Sequence, residues 1–242
     1  AEPSRSVSRR LEALTGPGGE LASLSKRYEL LQTSLELFNG DDAGWDISDM
    51  GGGGIVAART RSNTATTNLV DVKIDATLQN ISPADTLMIW REVGHYSSWF
   101  PFCSRSAMLG PFVHAAEIVG HLVFEVAMYG VMDIVIAGFG CHKPRDGLMQ
   151  LSVRPLEQHG TSIALPPKPD PSGKVFTLGR IRVVIDVLIE PLSPTDVRFC
   201  YSMTQPVPRA APSWIIRMIL KHGMGTIFSE MQKVALTMAR KD

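Results

Sequence analysis

With 242 residues, 44% of them hydrophobic and 20% charged, the chain is long enough to bury a substantial core and has an ordinary globular composition. Lysine plus arginine and aspartate plus glutamate number 24 each, so the net charge is zero and no basic domain points to nucleic acid as a partner. Cys103, Cys141 and Cys200 are widely spaced and form no CxxC pair, which speaks against a disulfide framework or a cysteine zinc site and fits a reducing compartment.

Near the start, 11–38 reads as helix broken at Gly16-Pro17-Gly18-Gly19, with Leu21, Leu24, Tyr28, Leu31, Leu35 and Phe38 at three-to-four spacing. Residues 1–44 are therefore expected to be a helical extension packing on a body formed by 45–242. No apolar signal region is expected at the N-terminus. A strand is predicted over 55–61. A clearer one follows over 69–78, where Val70, Val72, Ile74, Ala76 and Leu78 alternate with Asp71, Lys73, Asp75 and Thr77. Ser82-Pro83 opens a helix as N-cap and first helical residue, carrying Leu87, Trp90 and Val93.

Three strands are predicted over 117–127, 133–141 and 148–154. The apolar run 118–139 holds His121, Glu125, Asp133 and glycines at 120, 130 and 138, which argues against a membrane span. Residues 156–174 contain Pro166, Pro167, Pro169 and Pro171 and read as a long loop of the functional or mobile kind. A single strand is predicted over 175–189, with Ile181, Val183, Ile185, Val187 and Ile189 on one face. The last strand, 197–203, leads into a hinge, Gln205-Pro206-Val207-Pro208-Arg209-Ala210-Ala211-Pro212, and then a long amphipathic helix from about Ser213 to Met238. Gly223 and Gly225 interrupt that helix, each at a cost of roughly 1 kcal/mol relative to alanine. From 209 to 242 six Lys/Arg stand against Glu230 and Asp242, a local charge of +4 that suits an anionic membrane surface as well as a solvated helix face.

The sequence contains no GxSxG, HExxH, Walker or EF-hand pattern. Gly52-Gly53-Gly54-Ile55-Val56-Ala57 has glycine-rich spacing, but no apolar strand precedes it and a strand follows it, so it is not a dinucleotide loop. The histidines at 95, 114, 121, 142, 159 and 222 show no metal-ligand spacing. His121 reads as a satisfied polar residue in an apolar strand. Glu125 and Asp133 are left open as an acid–base pair. No catalytic residue, metal or cofactor is assigned.

Five stretches resemble the START lipid-binding family. The helix over 82–95 followed by Tyr96-Ser97-Ser98-Trp99-Phe100-Pro101-Phe102 resembles that family's helix ending in Trp-x-Pro. Tyr129-Gly130-Val131-Met132-Asp133-Ile134-Val135 resembles its Pro-x-x-Arg-Asp-Phe-Val segment, with Met132 in place of the arginine, and Leu151-Ser152-Val153 resembles the strand that follows. Ile189-Glu190-Pro191 leading to Thr195-Asp196-Val197 resembles the turn before the last strand, and Pro212-Ser213-Trp214 resembles the start of the terminal helix. The chain departs from the pattern at Thr204, where the family has aspartate. It departs again at Gly138, where sterol-binding members carry a cavity arginine, and the accompanying acid falls near His121.

The resemblance implies an α+β helix-grip fold, a curved antiparallel sheet wrapped around a long C-terminal helix. It also implies a protein that binds a lipid or other small hydrophobic ligand in an internal cavity, and transfers or senses it, rather than an enzyme. A helix-grip enzyme such as a cyclase is the alternative. The expected ligand-binding residues are Trp99, Phe102, Phe124, Ile134, Ile136, Val183, Ile185, Phe199, Tyr201, Met203, Met224, Phe228 and Met231, with Asp133 and Arg182 as polar anchors. Trp214, Ile215, Arg217 and Lys221 are expected to touch a membrane surface transiently. A monomer, cytoplasmic and peripheral to membranes, is the corresponding expectation.

Overall fold

The computed structural model describes residues 20–41, 43–51, 54–110, 117–126, 130–143, 147–156, 163–168, 179–209 and 223–239. The chain divides into two units, 1–40 and 41–242. In the first, helix α1 (Glu20–Asn39) carries Thr33 and Ser34, whose hydroxyls donate back to the carbonyls of Glu29 and Leu30 at 3.0 and 2.8 Å. These bonds keep polar side chains satisfied along the helix.

The second unit is built on one sheet, with ten strands among the described residues. They are β1 (Asp46–Gly51), β2 (Gly54–Ser62), β3 (Thr67–Gln79), β4 (Cys103–Met108) and β5 (Glu117–Val126). Next come β6 (Gly130–Lys143), β7 (Leu148–Pro155), β8 (Gly179–Arg180), β9 (Val184–Ser193) and β10 (Asp196–Pro208). The order across the sheet is β1-β2-β3-β10-β9-β7-β6-β5-β4, with β8 pairing β6 in parallel. Every other pairing is antiparallel.

Because side chains alternate along a strand, register decides which residues share a face. One row runs Val56, Ile74, Tyr201, Val187, Leu151, Gly140. The next runs Ala58, Val72, Met203, Ile185, Val153, Gly138, Ile118. Both belong to the apolar inner face, which forms one core with helices α2 (Pro83–Arg91) and α3 (Met224–Ala239). Full burial of one such side chain stabilises the fold by roughly 1.5–3 kcal/mol.

Helix α2 starts as its sequence dictates. Ser82 Oγ accepts the Asp85 N–H at 3.1 Å and Pro83 occupies the first turn. The helix is shorter than its apolar pattern predicts. It ends at Arg91, and Val93–Ser98 tightens into a 3-10 helix lying against β4 and β5. That approach requires Gly120, where a Cβ would stand 2.6 Å from Val93 Cγ1.

Two strand expectations need correction. The single strand predicted from 175 is divided within the described part: Gly179–Arg180 pairs with β6, 181–183 is irregular, and β9 begins at Val184. Gly179–Arg180 lies beside β6 whereas β9 lies beside β7, so the chain steps across one strand position between them, and one straight strand cannot do both. The first half of the expected hinge, 205–208, is also strand, with Pro206 opposite Leu69 and Pro208 opposite Thr67, and 210–212 lies outside the described residues. β9 ends its pairing at Thr204, so the two missing N–H groups fall on an open edge, where proline is tolerated. Short strands β1 and β4 carry no apolar alternation strong enough to have predicted them.

Candidate functional site

The inner face is anchored by an aromatic group. Trp90 of α2 stacks on Phe199, with centroids 5.8 Å apart and planes at 19°, and lies 5.4 Å from Tyr201. The Tyr96 hydroxyl donates to the Trp90 carbonyl at 2.7 Å, fixing the end of α2. Trp99 and Phe100 extend the cluster, and Phe124 meets Phe100 edge to face. From α3, Met224, Met231 and Ala235 are buried in the same core, and Phe228 lies 6.4 Å from Phe199.

Beside this cluster is a cavity of about 400 Å³. Leu87, Trp90 and Arg91 form its α2 wall. The sheet wall comes from β5, β6, β7 and β9: Ile118, Gly138, Gly140, His142, Met149, Leu151, Val153 and Val187. Phe139, Cys141, Gln150 and Ser152 also border it, but they have the opposite strand parity. The Ser152 hydroxyl accordingly donates to Asp186 at 2.6 Å, away from the inner face.

The two glycines act through their neighbours. A Cβ at Gly138 would stand 2.7 Å from Ile118 Cγ1 and 3.4 Å from Val153 Cγ2. One at Gly140 would stand 3.0 Å from Leu151 Cδ2. Part of the space they free is therefore taken by Ile118 and Leu151, which lie across the strand, and the remainder opens to the cavity.

Most of the expected ligand-binding residues come together in the inner core. Trp99, Phe124, Ile134, Ile136, Val183, Phe199, Tyr201, Met224 and Met231 are buried there, with Ile185, Met203 and Phe228 packed against them. They pack on one another, and none of them borders the 400 Å³ cavity. Phe102 stands apart, 56% exposed and at a left-handed φ of 64°. Trp214, Ile215, Arg217 and Lys221 lie outside the described residues.

The two expected anchors are not in the cavity. Arg182 is exposed in the irregular link before β9. Asp133 pairs with Val123, so its side chain leaves the sheet opposite to Met132 and Ile134. There it is fully buried, accepting from His121 Nε2 at 3.1 Å and Arg180 Nε at 3.0 Å. Arg180 also donates to the Pro166 carbonyl at 2.8 Å, and Ile163 packs over Val135, Ala137 and Leu156. The described part of the proline-rich loop is thus fastened to the outer face.

Sequence reasoning missed Leu87, Arg91, Ile118, His142, Met149, Leu151 and Val153 as wall residues. The glycine pair at 138 and 140 was the signal, since whatever pairs opposite two glycines overlooks free space. Finding those partners required the β6–β7–β9 register.

The described thiols are poor nucleophiles. Burial pushes Cys103 up to about 11. Burial, with the nearby Asp75 carboxylate, pushes Cys200 up to about 12. Burial also raises the Tyr96 and Tyr201 phenols, which stay protonated. Among the described residues no group of three His, Cys, Asp or Glu is arranged to hold a metal ion. No described helix is long and apolar enough to cross a membrane.

The fold is shared with solved structures. Human STARD10 superposes with a TM-score of 0.65 at 12% identity, over 85% of this chain and 78% of that one. The chain has the START helix-grip fold. Human StAR-related lipid transfer protein 5 shares this START architecture with a TM-score of 0.65 at 16% identity, over 88% of this chain and 97% of that one. A STAR-related lipid transfer protein from Xanthomonas axonopodis gives 0.60 at 19% identity, covering 79% and 98%. No protein-family model and no curated protein matches the sequence.

Proposed function

We propose that this START-fold chain binds one hydrophobic molecule, a lipid, in the cavity between α2 and strands β6, β7 and β9. The observation that carries the reading is the wall itself. Leu87, Ile118, Met149, Leu151, Val153 and Val187 surround about 400 Å³, within the range of small-molecule sites. The likeness to lipid-transfer domains supports it. The reading is of a binding protein rather than an enzyme: His142 borders the cavity with no Asp or Glu beside it on the described wall. Transfer between membranes is the second part of the proposal. In it, Trp214 and Ile215 dip into a bilayer while Arg217 and Lys221 meet anionic head groups.

Native mass spectrometry of the purified chain after exposure to a broad lipid panel tests the binding. One bound lipid of defined mass is expected. Leu151→Trp, which fills the cavity, should abolish it while leaving the circular dichroism unchanged. Absence of any adduct across the panel overturns the reading. For transfer, Trp214→Glu should slow movement of lipid between liposomes, and an unchanged rate removes that segment from the mechanism.

A further inference from the structure

We propose that the ligand is a single-chain amphiphile with an anionic head, its tail on the apolar wall and its head beside Arg91 and His142. This rests on the lipid-binding reading above. Arg91 and His142 line the cavity and also reach water: Arg91 is half-buried and His142 is exposed. A head group placed there stays partly solvated while its tail leaves water. Among the described wall residues no Asp or Glu opposes an anion. Ser152, the one hydroxyl among the described wall residues, is engaged with Asp186 on the other face.

Arginine is always charged and presents five donors, so Arg91 can keep its present contacts and still meet a carboxylate or phosphate oxygen. The C-terminal end of α2 opposes this, with a partial charge of roughly half a unit that is screened at an exposed end. A full guanidinium charge on the wall outweighs it, and Glu92, the next residue, is exposed and off the wall.

The size of the cavity suits a single chain. At a water's share of about 30 Å³, a cavity of about 400 Å³ holds about 13 methylene-sized groups. That is enough for one medium acyl chain.

The test is calorimetric titration of the full chain with dodecanoate and with dodecanol, which share a tail and differ in the head. Phosphatidylcholine vesicles serve as the two-chain comparison. Dodecanoate should bind about tenfold more tightly than dodecanol, the scale of one hydrogen bond to a charged group. R91Q should erase that ratio. R105Q removes the same charge from an exposed arginine off the wall and should keep it. Equal affinity for the two probes overturns the inference, as does a folded R91Q that retains the ratio. If R91Q does not fold, the wild-type ratio decides. Phosphatidylcholine uptake without dodecanoate binding overturns the inference and leaves lipid binding standing. No binding of any lipid overturns both.

Discussion

Arg180 and Asp133 meet across the parallel contact between β8 and β6, with Arg180 Nε 3.0 Å from Asp133 Oδ2. Their side chains are 9% and 0% exposed, so the pair is shielded from water. It closes the sheet's outer face and holds the loop through the Pro166 carbonyl. Breaking a buried pair from one side strands the other charge, at a cost of about 3–5 kcal/mol. Arg180→Met should lower stability by that amount in urea denaturation. Arg180→Met with Asp133→Asn should cost less than the two single changes added together. Lipid affinity should not change, since neither residue borders the cavity. Additive losses, or a loss of affinity in a folded variant, contradict this placement.

Gly138 has room for no side chain unless Ile118 moves. Gly138→Ala brings a methyl to 2.7 Å from Ile118 Cγ1, and overpacking of this kind costs about 1–3 kcal/mol. The same change in an Ile118→Ala background should cost measurably less. Thermal denaturation of the four variants checks it, and identical losses in both backgrounds would show that Ile118 is not the obstacle.

Acid should weaken the β2–β3–β10 part of the sheet first. Burial disfavours the Asp71 carboxylate, but hydrogen bonds from Arg61, Arg59 and Thr204 outweigh burial and hold its pKa below the usual range. Asp75 is held down in the same way by Arg198. A carboxyl depressed in the folded state adds stability that is complete above its unfolded value of about 3.9 and is lost as pH falls through the folded value. Stability measured downward from pH 5 should therefore drop, and Asp71→Asn should flatten the drop. An unaltered slope in the variant removes Asp71 as the cause.

The thiols should differ in accessibility. With Cys103 held at about 11, only about one part in ten thousand is thiolate at neutral pH, and Cys200 has less. Cys141 is half-buried rather than buried. Native alkylation should label Cys141 first, with Cys103 and Cys200 reacting only under unfolding conditions. Peptide mass mapping reads the order, and early labelling of Cys200 would contradict its burial.

Much of the fold was legible in local pattern. The alternation from Val70 to Leu78 announced β3, and Ser82-Pro83 announced α2, because period and capping act within a few residues. The prolines at 206 and 208 misled, since whether a strand edge is free depends on where β9 stops, some twenty residues away in sequence. Asp133 misled for a related reason. A run as apolar as Val131 to Ala137 is buried on both faces, so its pattern cannot say which side holds the ligand.

By itself the sequence determined the helix-grip class, the aromatic and methionine content of the core and the glycine gap at 138 and 140. The class was implied by the family resemblance of its motifs, and the other two follow from side-chain identity and size, which are local properties. Tertiary structure alone decided that Phe199 and Tyr201 pack against Trp90 and that Asp133 faces outward to Arg180. It also decided that the open space lies beneath Leu87 and Arg91. Each depends on which strand pairs with which, and a one-residue change of register exchanges the two faces of a sheet.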